Sequence, residues 1–235
     1  MTKPILFLTT SHDRIGDTGR ATGFYWEELA LPYWAFRDAG FDVAFASPKG
    51  GMPPADPGSA RAEGRAAPVQ RFLDDAAAMT ALSHSLPVAD AKAPDYAAVF
   101  LPGGHGTMWD MSQTPAVGRI VGQVFAQGGI VGAVCHGPAG LLAARLADGT
   151  PIVAGRRVGG FTDAEERAVG LDTVVPYLLE TRLRALGGIF EGNPANFGPH
   201  ALRDGRLVTG QNPASSGGVA DLMLAALADQ TGKAA

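Results

Sequence analysis

Short runs of consecutive apolar residues alternate along this chain with longer stretches whose apolar positions recur at helical spacing. That alternation predicts a parallel sheet covered on both faces. The strand-like runs are residues 4–10, 42–47, 97–101, 130–134 and 206–209. Between the first two, Phe24, Leu29, Leu31, Trp34 and Phe36 give residues 23–39 the period of a helix, and Gly40 is placed to close it. Residues 48–68, rich in Pro, Gly and Ala with scattered charge, read as a surface excursion and not as a second domain. Residues 213–228 read as a last covering helix and 231–235 as a fraying end. There is no internal repeat. The expected architecture is an α/β fold, a doubly wound and mostly parallel sheet, in one domain spanning residues 1–235.

Composition narrows the class. A hydrophobic share of 46% over 235 residues can fill one sizeable core. A formal charge of -4 gives no general attraction to nucleic acid or to anionic membrane. The single cysteine rules out an intramolecular disulfide, and no apolar run approaches the roughly 20 residues of a membrane span. A cytoplasmic location is the expectation, with neither nucleic acid nor membrane as partner.

That cysteine is the most informative residue. Cys135 ends the run Gly129-Ile130-Val131-Gly132-Ala133-Val134 and is followed at once by His136-Gly137-Pro138-Ala139, a strand running into a helix start. Such a nucleophile elbow holds its central residue in a strained backbone and lifts the side chain above the sheet edge. A helix opening at Gly137 would also favour the thiolate. The loop Pro102-Gly103-Gly104-His105-Gly106-Thr107 follows the neighbouring strand-like run. In an open parallel sheet, both segments reach the crevice at the carboxyl ends of the strands. The amides of Gly104 and His136 are therefore candidates for an oxyanion hole, with Gly103 beside them and His105 lining the site.

Glu27 and Glu28 are neighbours on the first helix, about 100° apart, so only one can face inward. Glu28 lies among Phe24, Tyr25 and Leu31, where desolvation raises a carboxyl pKa and suits it to proton transfer near neutral pH. Glu27 reads as a solvated first-turn acid. His12, His105 and His200 show no metal-ligand spacing, so neither a metal nor a cofactor is expected.

Five ordered segments together resemble one family. They are Thr22-Gly23 with Glu28 shortly before Pro32; Gly103-Gly104-His105-Gly106-Thr107; Ala133-Val134-Cys135-His136-Gly137-Pro138-Ala139; Gly160-Phe161-Thr162-Asp163 with Glu166; and the stretch from Asp204 through Gln211-Asn212-Pro213 to Ser215. This set resembles the ThiJ/PfpI superfamily, class I glutamine-amidotransferase-like, in its branch of stress-induced chaperones and glutathione-independent glyoxalases. The resemblance implies a flavodoxin-like fold and a Cys135, His136, Glu166 triad, with Glu28 as acid/base beside the sulfur. Glu165 is the alternative carboxylate if the short Asp163-Ala164 spacing shifts the register. A first-turn glutamate stabilised by the helix dipole is the structural alternative for Glu166.

The resemblance further implies glyoxalase III activity: methylglyoxal to lactate and glyoxal to glycolate, a lyase of the D-lactate dehydratase type, through a cysteine hemithioacetal. Release of dicarbonyls from glycated side chains is a related hydrolysis. A holding chaperone of the stress response and a cysteine hydrolase or peptidase are the alternatives. Glutamine hydrolysis is disfavoured, because His200 is followed by Ala201 and Leu202 and not by the His-x-Glu pattern of such enzymes. The resemblance implies a homodimer. In the first helix Tyr25, Trp26, Tyr33 and Trp34 exceed what one buried stripe needs, which leaves a face for a partner.

Overall fold

The computed structural model describes residues 3–59 and 61–232. The order is β1 (Ile5–Leu8), α1 (Trp26–Asp38), β2 (Val43–Ser47), α2 (Ala67–Asp74), α3 (Ala76–Ser83), β3 (Leu86–Pro87), β4 (Ala98–Leu101), α4 (Thr107–Asp110) and α5 (Pro115–Ala126). It continues through β5 (Ile130–Val134), β6 (Arg157–Val158), α6 (Asp163–Ala168), α7 (Leu179–Ala185), β7 (Ile189–Phe190), β8 (Ala201–Asp204), β9 (Leu207–Gly210) and α8 (Ser216–Gly232).

The main sheet has seven strands in the order β3-β2-β1-β4-β5-β9-β8, all parallel except β8, which pairs antiparallel with β9. All five strand-like runs of the sequence are in it. The order β2-β1-β4-β5-β9 is that of a flavodoxin-like sheet, whose direction of winding switches between β1 and β4. The strands are short and apolar on both faces because helices cover both. Phe45, Phe7, Phe100 and Gly132 stand in register across four strands. Phe7 meets Tyr33 and Phe36 of α1 edge-on. At Gly132 a Cβ would fall 2.1 Å from the sulfur of Met223, so the missing side chain lets α8 settle on the centre of the sheet. Helix α5 packs against β4 and β5.

Three features depart from the sequence reading. The first helix begins at Trp26, later than expected, because Gly23 and Phe24 are held in extended pairing with Pro54 and Ala55. The excursion over 48–68 is thus tied down over the entrance to α1. The aromatic residues of α1 are used within the chain: Trp26 and Tyr33 are buried, Tyr33 and Trp34 pack on Phe72 of α2, and Trp34 Nε1 donates to the Pro68 carbonyl. The argument for a partner face on this helix falls with that packing. The last helix extends through Gly232, and residues 233–235 of the expected fraying end lie outside the described residues.

Candidate active site

The elbow forms as the sequence predicts. Cys135 has φ of 59°, in the left-handed region that a side chain with a Cβ rarely occupies. Its amide donates to the Gly210 carbonyl of β9 (2.9 Å) and its carbonyl accepts from the Phe161 amide (2.8 Å). Bonds on both sides hold the strain, and the thiol is left buried at the foot of a cavity. The backbone amides of Gly104 and His136 both donate toward the sulfur. They are the two amides the sequence singled out for an oxyanion hole.

Two glycines make room for this. At Gly103 a Cβ would lie 2.6 Å from the Glu28 carboxyl and from the His136 amide. Gly104 has φ of 101° and approaches the Gly23 carbonyl so closely that a Cβ would sit 2.3 Å from it. Glu28 on α1 faces inward and is fully buried, whereas Glu27 is half-buried. Glu28 Oε2 accepts from the Gly103 amide (2.7 Å), Oε1 is buried without a hydrogen-bond partner, and the Cys135 thiol interacts with the carboxyl.

The imidazole of His136 lies between sulfur and carboxylate. Its Nδ1 is 3.3 Å from Cys135 Sγ and its Nε2 2.8 Å from Glu166 Oε2. The other oxygen, Oε1, is 2.9 Å from His105 Nε2. Glu165, the alternative carboxylate, is occupied elsewhere. It closes a capping box with Thr162, taking the Thr162 amide on Oε2 (2.9 Å) while Thr162 Oγ1 accepts the Glu165 amide (3.0 Å). Glu165 Oε1 accepts from the Phe197 amide, Gln211 Nε2 and Asn212 Nδ2. One helical step separates the capping carboxyl from the one that faces His136 and His105. The capping demand of α6 turns Glu165 back to its own N-terminus and leaves Glu166 to reach the histidines.

Burial, reinforced by His105, pushes the His136 pKa down to about 4, so its imidazole is neutral with the proton on Nε2 and a free lone pair toward the sulfur. Burial alone would raise Glu166, but hydrogen bonds from His105 and His136 outweigh it and hold the carboxyl at about 2. For Glu28 burial dominates and pushes its pKa up to about 8, against the opposing bonds from Cys135 and Gly103. Burial and the Glu28 carboxylate likewise push the Cys135 thiol up. That corrects the expectation of a resting thiolate. The segment after Cys135 is a 3-10 turn, Gly137–Leu141, and not a helix with a sizeable dipole, and the buried Glu28 beside the sulfur disfavours a second negative charge.

The cavity holds 340 Å³ and opens past Ile15, Arg20, Asp56 and Val169. His105, His136 and Glu166 present metal-ligand atoms within 4.8 Å of one another. An ion bound there would have to break both histidine bonds to Glu166. His12 stacks on Trp109, and neither His12 nor His200 lines the cavity. Sequence reasoning missed Asp56, which the excursion delivers through its bond to Thr22 Oγ1, and the aromatic wall of Phe161 and Phe197. Phe161 stood in one of the five quoted segments without a role assigned to it, and the stretches carrying Asp56 and Phe197 held no motif of their own.

Residues 21–226, the span holding Glu28, Gly104, His105, Cys135, His136 and Glu166, match the DJ-1/PfpI family. The chain belongs to that family. It is 31% identical over 222 residues to the glutathione-independent glyoxalase HSP31 of Saccharomyces cerevisiae, covering 91% of this chain and 93% of that protein. The crystal structure of glyoxalase III from Candida albicans superposes with a TM-score of 0.88 at 27% identity, over 95% of this chain and 97% of that one. The Rapid Encystment Protein 24 kDa of Francisella tularensis superposes with a TM-score of 0.91 at 32% identity, over 96% and 99%. This DJ-1/PfpI chain therefore shares its fold over 95–96% of its length with two solved structures, one of them named a glyoxalase, and its sequence with a second named glyoxalase.

Proposed function

We propose that this protein is a glutathione-independent glyoxalase that converts methylglyoxal to lactate and glyoxal to glycolate, using neither metal nor cofactor. The observation that carries the reading is the buried Glu28 carboxyl against the Cys135 thiol. A cysteine hydrolase or peptidase needs the thiol and imidazole; isomerising a 2-oxoaldehyde also needs an acid/base that reaches the carbon bonded to sulfur. The names of the yeast relatives support the same class.

In this reading His136 Nδ1 takes the thiol proton as sulfur adds to the aldehyde carbon. The oxyanion forms at the amides of Gly104 and His136 and takes a proton from Glu28, which enters the cycle as the neutral acid. The resulting Glu28 carboxylate removes the hydrogen from the same carbon while protonated His136 returns its proton to the neighbouring carbonyl oxygen, giving an enediol. Glu28 then protonates the second carbon and takes back the proton of the first carbon's hydroxyl as that carbon collapses to a thioester, which restores the neutral carboxyl. Water releases the 2-hydroxy acid and restores the thiol.

No helix among the described residues is long and apolar enough to cross a membrane, and we place the activity in the cytoplasm. Turnover of methylglyoxal by purified protein in metal-free, glutathione-free buffer, with the yield and chirality of lactate measured, tests the reading; lactate as the product is expected. Cys135→Ser should abolish it with the fold intact, since no group here is basic enough to ionise a serine hydroxyl. Activity of that variant within about tenfold of wild type would refute covalent catalysis. Dicarbonyl release from a glycated peptide without lactate from the free aldehyde would favour the deglycase alternative.

A further inference from the structure

Among the described residues two non-glycine positions have a left-handed backbone, Cys135 and Phe197. Both line the same cavity. For Cys135 the strain aims the nucleophile. Phe197, with φ of 63°, holds a bulky ring in a conformation that glycine or asparagine would adopt at less cost. Packing does not compensate for this, because the residue is 48% exposed.

The backbone is instead fastened on both sides from beneath. The Phe197 amide donates to Glu165 Oε1 (2.8 Å), and the Gly198 carbonyl accepts from Asn212 Nδ2 (2.8 Å), which also donates to Glu165. One oxygen of a buried carboxyl, whose other oxygen caps α6, thus helps to place one exposed aromatic residue. Its ring lies 6.3 Å from that of Phe161, which is 4.4 Å from the His136 imidazole. An apolar wall therefore runs from the mouth to the catalytic base, with Val169, 41% exposed, also at the cavity. A volume of 340 Å³ suits ligands far larger than methylglyoxal. Strain that persists at a site because surrounding bonds over-determine it points to function.

We propose that Phe197 is a specificity-determining residue: its ring, positioned through Glu165 and Asn212, favours 2-oxoaldehydes that carry an aromatic or branched apolar group over methylglyoxal. The substrate class rests on the glyoxalase reading, whereas the wall itself can be tested without turnover. Alkylation of Cys135 by phenacyl bromide and by bromoacetone, followed by intact mass, compares an aromatic with a methyl ketone at one sulfur. Dividing the rate ratio by that of free cysteine removes intrinsic reactivity.

The normalised ratio should exceed unity in the wild type. Phe197→Asn, which tolerates the left-handed backbone, should lower it about three- to tenfold, the worth of an aromatic contact, while the thermal midpoint holds or rises. Phe197→Gly should do the same. A ratio within twofold of wild type in either variant, or a wild type no more selective than free cysteine, overturns the proposal. So does a marked loss of stability, or failure to fold, in both variants, which would give the ring a structural role. Methylglyoxal turnover by the wild type reports separately on the parent reading, so each can fail without the other.

Discussion

Replacing Glu28 by glutamine should cost activity and add stability, and the added stability should grow with pH. The carboxyl is fully buried and its pKa is pushed from 4.5 to about 8. Between those two values the folded protein binds a proton that the unfolded chain does not, so this group's contribution is fully present below 4.5 and is lost as pH rises through 8. Integrated, the wild type gives up about 1 kcal/mol at pH 5 and about 3 kcal/mol at pH 7. Glu28→Gln keeps the shape and the acceptor for the Gly103 amide but has no proton to exchange. It should therefore melt about 6–12 °C above wild type at pH 7 and only about 2–4 °C above it at pH 5. Its turnover should fall by roughly 10²-fold or more. In the wild type, kcat/KM should fall above about pH 8, where Glu28 no longer enters as an acid, and below about pH 4, where His136 is protonated. Calorimetry and methylglyoxal kinetics from pH 5 to 9 provide both readouts. Equal pH dependence of melting in the two proteins, or turnover in the variant within tenfold of wild type, would refute the assignment.

Glu166→Gln should keep the fold and lose activity by about 10²-fold, because His136 loses its anionic partner, whereas Glu165→Gln should lower the thermal midpoint by several degrees, because one of two accepting oxygens becomes an NH2 group facing donors. Finding activity loss without destabilisation in Glu165→Gln would exchange their roles. Because burial and Glu28 hold the thiol protonated, peroxide should oxidise Cys135 more slowly than free cysteine at pH 7 and faster as pH rises; mass spectrometry showing the opposite order would restore the resting thiolate. We expect a homodimer in solution, and light scattering that returns 24.2 kDa at micromolar concentration would exclude it.

What could be read from the sequence depends on the range of the interaction behind each feature. The strand runs and the elbow are local: five apolar residues, then Cys135 flanked by residues small enough to let the turn close, carry their own geometry wherever the sheet places them. The inward turn of Glu28 is also local, since helical periodicity alone separates it from Glu27. The strand β8 gave no such signal. Its residues Ala201–Asp204 are two apolar and two charged, and only pairing with β9 makes them a strand. Asp56 and Phe197 likewise enter the site through bonds spanning 34 and 32 residues, to Thr22 and Glu165, which no spacing rule anticipates.

The state of the thiol shows the same divide from the other side. A strand-to-helix elbow does aim backbone amides at the sulfur, as Gly104 and His136 show. Whether those amides yield a thiolate depends on how much solvent remains and which charges share the space. Here the first helix drives a carboxyl into the same dry pocket, so the sulfur and Glu28 compete to remain neutral. A resting thiolate would suit attack on any electrophile. On the proposed mechanism, a protonated thiol between a neutral imidazole and a protonated carboxyl would instead ionise as the aldehyde arrives, and the carboxyl would become a base only after giving its proton to the new hydroxyl. In the proposed mechanism the raised pKa of Glu28 would order the steps, with addition preceding removal of the carbon-bound hydrogen. A kinetic isotope effect on the aldehydic hydrogen should be expressed in wild type with adduct below saturation, whereas the adduct should accumulate in Glu28→Gln. An isotope effect with no dependence on Cys135 would break that order.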